Sequence, residues 1–197
     1  PSRTSSRNAG KSGMSPFSDS LKGALETFES LRILEPKVME AAKLVLDCLK
    51  SGGKLLLCGN GGSAADSSHI ATEFTCRFMG DRRPYPAISL TSDGGLLTAI
   101  GNDYAFQEVF ARQVRAYGKP GDVLITLTTS GKSRNILSAI EEAKRIGVKN
   151  IVFLGKGGGF TKGAADIEIQ VSGNVTARIQ EAHKFLLHTI CEIVEPS

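Results

Sequence analysis

The sequence predicts a three-layer, doubly wound α/β domain, on three observations. About five short apolar runs alternate with helical stretches, the pattern of a parallel sheet covered on both faces. Two of these runs lead into turns rich in glycine or hydroxyl groups that open helices, Gly59-Asn60-Gly61-Gly62-Ser63 and Thr128-Thr129-Ser130-Gly131-Lys132-Ser133. With 197 residues, 41% hydrophobic and 22% charged, the chain can bury a core without cross-links.

Residues 1–18 are small, polar and slightly basic, and are expected to form a flexible tail before a single domain at 19–197. Two helices are expected at 19–31 and 36–50, the second with Pro36 near its start and Gly52 beyond its end. The run 55–58 reads as a buried strand. Gly59, Gly61 and Gly62 then permit a tight turn and the close approach of a ligand to the backbone. Ser63 is expected to cap the next helix with Asp66 as its capping-box partner, and the free N–H groups of that first turn suit an anion. On this helix His69 and Glu73 stand at i and i+4, one turn apart on one face, where imidazole and carboxylate can converge on a metal ion or a substrate carbon.

Strands follow at 87–90, 123–127, 151–154 and 167–171, and helices at 105–117 and 134–145. Taken alone, Asn102-Asp103 reads as an ordinary cap for a helix from Tyr104 onward. The last element, 176–194, is a long helix. Ile179, Ala182, Leu186, Ile190 and Ile193 form one apolar stripe, and Gln180, Lys184 and His188 lie together away from it. His183 borders the stripe and reads as a packed histidine. Gln180 and His188 are separated by roughly 12 Å of helical rise, so they share one ion only through extended side chains or across subunits. This helix offers more surface than the domain needs to cover, so an oligomer is expected.

Neither loop has a nucleotide-binding pattern. A Walker A loop would need glycine where Thr126 stands, and Ala64 breaks the G-x-G-x-x-G fingerprint. The hydroxyl-lined turn behind Gly131 fits a sugar phosphate better. Twenty-four basic and 20 acidic residues leave a scattered net charge of +4, too mild to imply nucleic acid. Without an apolar run near ~18 residues, a signal peptide or C-x-x-C spacing among the four cysteines, a cytoplasmic protein with reduced thiols is expected.

The segments Cys58-Gly59-Asn60-Gly61-Gly62-Ser63, His69-x-x-x-Glu73, Gly101-Asn102-Asp103-Tyr104, Thr129-Ser130-Gly131-x-Ser133 and Arg178-Ile179-Gln180-Glu181-x-His183 with His188 resemble the phosphoheptose isomerases, over roughly residues 20–195. These enzymes carry a sugar isomerase (SIS) domain of flavodoxin-like topology. They convert sedoheptulose 7-phosphate to D-glycero-D-manno-heptose 7-phosphate, the first step towards activated heptose for bacterial surface polysaccharide, including lipopolysaccharide. The resemblance implies substrate contacts at Asn60, Gly61, Gly62, Ser63, Glu73, Asn102, Asp103, Thr128, Thr129, Ser130, Ser133 and Gln180. It implies a zinc ion on His69, Glu73, Gln180 and His188, with Glu73 and His188 as acid and base. It also implies a homotetramer whose active sites lie at subunit interfaces. Thr128 stands where serine is usual, and Lys132 replaces a usual asparagine. Rival readings are a non-catalytic SIS protein, either a sugar-phosphate-sensing regulator or a replication-initiator-binding protein, and an isomerase of another ketose phosphate. The four ligand-type residues retained here weigh against the first.

Overall fold

The computed structural model describes residues 15–195; the first fourteen residues of the expected tail lie outside them. Five strands form one wholly parallel sheet: β1 (Leu55–Gly59), β2 (Ala87–Ser89), β3 (Val123–Thr128), β4 (Lys149–Leu154) and β5 (Ile167–Gln170). Their order is β2-β1-β3-β4-β5. The chain therefore reverses its winding between β1 and β3, and ligands of such sheets bind at the carboxyl ends of the strands flanking this switch.

Alternation along β1 shows how the sheet makes three layers. Leu55 and Leu57 point into a core shared with α2 (Glu35–Lys50), α3 (Gly62–Thr75) and α7 (Thr176–Val194). Leu56 and Cys58 point into a second core with α4 (Gly94–Asp103), α5 (Ala111–Tyr117) and α6 (Arg134–Arg145). Leu56, Leu124 and Phe153 are fully buried, each stabilising the fold by about 1.5–3 kcal/mol.

Several local expectations change. Helix α1 (Pro16–Glu29) begins three residues before the expected Asp19, because the Ser15 hydroxyl caps it by accepting from Ser18 N–H and Pro16 suits its first turn. Helix α4 was missed in a glycine-rich stretch; the Asp93 carboxylate accepts from Leu96 N–H at 2.9 Å and caps it. Asn102 and Asp103 therefore close α4 and do not cap a helix from Tyr104. Only a 3-10 turn, Phe106–Glu108, precedes α5.

Among the described residues no helix is long and apolar enough to cross a membrane. All four cysteines are free, and Cys48, Cys58 and Cys191 are buried.

Candidate active site

Gly61, with φ +57°, is the residue that turns the chain from β1 into α3, so the helix starts two positions earlier than a Ser63 cap would allow. Ser63 is instead 6% exposed inside the first turn. Asp66 makes no capping box: its Oδ1 lies 2.9 Å from Lys184 Nζ on α7.

That ion pair is the middle rung of a ladder between two parallel helices. At one end the Gln180 amide covers Gly62, leaving no room there for a Cβ. At the other end His69 Nε2 stands 3.0 Å from His188 Nε2 and 3.3 Å from a Glu73 carboxylate oxygen. One donor atom from each of these three residues lies within 4.8 Å of the other two. Two facing imidazole lone pairs repel unless a proton or a cation lies between them. Burial, then the neighbouring His69, lowers the His188 pKa, favouring the neutral ring that ligates metals and accepts protons. Tetrahedral ligands held ~2.1 Å from zinc stand roughly 3.4 Å apart, so the spacing of these donors fits that ion.

The second loop leaves β3 at Thr128. Thr128 Oγ1 accepts from Gly131 N–H at 3.1 Å and lies 3.4 Å from Ser133 Oγ, while Ser130 Oγ accepts from Lys132 N–H. Ser133 occupies the N-cap position of α6, yet its hydroxyl makes no capping bond and can turn to a ligand. Thr129, Ser130 and Ser133 are half-buried and line the rim, whereas Thr128 is buried. Asn60, from the first loop, crosses to α6. Its amide and that of buried Asn135 exchange two hydrogen bonds of 2.9 and 2.8 Å, tying the two loops together.

The glycine turn follows β1 and the hydroxyl turn follows β3, while α3 and α7 bring His69, Glu73 and His188 together. Asn102 and Asp103 do not join them within this chain: both are exposed at the end of α4, where the Asn102 amide donates to the Asp103 carboxylate. Sequence reasoning missed Asn135, whose signal was a polar residue beside Ile136 at the start of an amphipathic helix. His183 is fully buried, with Nε2 3.0 Å from the Leu154 carbonyl, as a packed histidine should be.

The SIS domain family matches residues 17–155. A phosphoheptose isomerase from Campylobacter concisus is 50% identical over 155 residues, 79% of this chain and 82% of the relative. The chain belongs to the SIS domain family and, within it, to the phosphoheptose isomerases. Two solved phosphoheptose isomerases, from Francisella tularensis and Neisseria gonorrhoeae, superpose with TM-scores of 0.85 and 0.81 at 40% identity. Each alignment covers 92% of this chain and 95% of the other. The phosphoheptose isomerase fold therefore extends beyond the family match, to the end that carries α7.

Proposed function

We propose that the protein isomerises sedoheptulose 7-phosphate to D-glycero-D-manno-heptose 7-phosphate, at the entry to activated-heptose synthesis for surface polysaccharide. The observation that carries this reading is the convergence of Glu73 and His188 at one end of the α3–α7 seam, in a fold whose other end offers the turn Thr128–Ser133. The rise from Gly62 to His69 is roughly 10 Å, the order of an extended sugar phosphate.

The reaction moves a carbonyl from C2 to C1. A proton leaves C1, an enediolate forms, and a proton is returned at C2. Glu73 and His188 share the roles of base and acid: the His188 ring, held neutral at rest, accepts a proton and returns one only once it is charged. Ser130, Ser133, Thr129 and the N–H groups at the start of α6 take the phosphate. Asn60 and Gln180 flank the sugar near the glycine turn, with Asn102 and Asp103 closing the site in the assembly.

We assign one zinc ion to His69, Glu73 and His188, a nitrogen and oxygen donor set suited to a borderline cation. When bound, the metal supplies Lewis-acid polarisation of the substrate oxygens. Glu73 has two oxygens, so ligation by one leaves the other free to accept a proton. Gln180, on Gly62, reaches the same ion only with an extended side chain or from another subunit.

An interface between copies, as in a homotetramer, is supported by α1, whose Phe17, Leu21, Leu25 and Phe28 are 75, 48, 63 and 37% exposed, with Phe28 packed on Phe185 of α7. Such a stripe asks for a partner surface. The test is turnover of five-, six- and seven-carbon ketose phosphates by purified protein, with and without added zinc. Turnover of the seven-carbon substrate is expected to be fastest; faster turnover of a shorter one would overturn the substrate assignment.

A further inference from the structure

The turn after β4, Lys156-Gly157-Gly158-Gly159-Phe160-Thr161, belongs to none of the segments discussed so far, yet it packs against the hydroxyl loop backbone to backbone. Gly131 has φ +63°, and any Cβ added to it would strike the Gly158 carbonyl. A Cβ on Gly159 would strike the Gly131 carbonyl in turn, and one on Gly155 would meet the Thr129 carbonyl. Only glycines allow this approach. Lys156, at φ +47°, is also the one non-glycine residue among those described with positive φ, a conformation disfavoured unless its surroundings enforce it.

Thr161 closes the contact. Wholly buried, it donates to the Gly131 carbonyl twice, from its N–H at 3.1 Å and from its hydroxyl at 2.9 Å. In a trans peptide the carbonyl and the next N–H point in opposite directions. Holding the Gly131 oxygen towards Thr161 therefore keeps Lys132 N–H on the loop side, 3.1 Å from Ser130 Oγ. Glycine on one side makes this peptide easy to flip. A flip would put a carbonyl oxygen where a phosphate is to bind.

We propose that the turn Lys156–Thr161 is a brace for the phosphate loop and that Thr161 is a positioning residue acting through the Gly131 carbonyl. The proposal rests on the reading of residues 128–133 as the phosphate site, so its test uses inorganic phosphate as well as the sugar. Thr161→Val keeps shape and backbone N–H but removes the hydroxyl. In calorimetric titration it should bind inorganic phosphate about tenfold more weakly than wild type, and its KM for sedoheptulose 7-phosphate should rise about as much. Its kcat should stay within about twofold, and Thr161→Ser should restore wild-type phosphate binding. Wild-type phosphate affinity in a folded Thr161→Val variant overturns the brace. So does an equal loss in Thr161→Ser, which would point to the methyl group. Should Thr161→Val fail to fold, Gly159→Ala presses on the same carbonyl from the surface, and unchanged phosphate binding there is equally fatal. A wild-type protein that binds phosphate but leaves the heptulose phosphate unconverted overturns the isomerase reading and leaves the brace to the phosphate titrations.

Discussion

The hydroxyl loop after β3 and the seam between α3 and α7 are held by different kinds of contact. Around Gly131 the neighbours are backbone atoms of a second turn and uncharged hydroxyls. Along the seam nearly every rung is a side chain that carries or can carry charge: Asp66 with Lys184, and His69 with Glu73 and His188, with His183 packed beside them. The loop should therefore respond to changes of shape and the seam to changes of charge.

The largest expected effect strikes the seam. Glu73→Gln keeps the shape and one possible ligand oxygen but removes the carboxylate proposed as base, so turnover should fall at least ~100-fold with substrate still bound. Metal analysis of the variant separates loss of base from loss of ion, and full activity would reject the assignment. In heavy water the wild-type enzyme should place deuterium at C2 of the aldose; absence of label would favour a hydride shift or a shielded proton.

Acid should unfasten the same region. Burial pushes the pKa of His183 down to about 4, so the folded protein keeps this ring neutral. An unfolded chain takes up that proton below its ordinary pKa near ~6.5, so stability is complete above that pH and falls by ~1.4 kcal/mol per unit down to about 4. Denaturant titrations across this window should show the slope, and His183→Gln should flatten it. A slope unchanged in that variant would assign the acid sensitivity to other groups.

At the loop, loss of a single hydroxyl should suffice. Ser130→Ala or Ser133→Ala should weaken sugar-phosphate binding by ~1–3 kcal/mol, and wild-type affinity in both would move the phosphate elsewhere.

The smallest expected effect compares two glycines. At Gly62 the atoms nearest to an added methyl are those of the Gln180 amide, which must move to make room but is the far end of a flexible side chain, and no positive φ adds strain. Gly62→Ala should then cost less than ~1 kcal/mol of stability while raising KM through the displaced amide. A stability loss as large as that of Gly131→Ala, where the obstacle is backbone, would show that the seam is as stiff as the loop.

Much of this was legible because its signals are local. The five strands are short apolar runs, and the turns after β1 and β3 announce themselves by composition. His69 and Glu73 needed only helical spacing, and the two faces of α7 were readable from its periodicity. What stayed hidden depends on partners distant in sequence. Asp66 looked like a capping residue because Lys184 lies on the last helix; Asn135 looked like any polar helix residue because Asn60 lies on another loop. Helix α4 was lost because its glycines argue against a helix, and only the Asp93 cap with Leu96, Leu97 and Ile100 argued for one.

Helices α3 and α7 run parallel, since Gly62, Asp66 and His69 meet Gln180, Lys184 and His188 in the same order. Their amino termini therefore lie at one end of the seam and their carboxyl termini at the other. Aligned peptide dipoles give the first end a partial positive charge and the second a partial negative one, each worth ~0.3–1 kcal/mol to a nearby ion of opposite sign. The pair thus presents a polarised axis, favouring an anion by the glycine turn, whereas His69 and His188, each six residues before the end of its helix, owe any preference for a cation to their own donor atoms. A sugar phosphate laid along it with its phosphate at the amino-terminal end would be oriented before any side chain touched it.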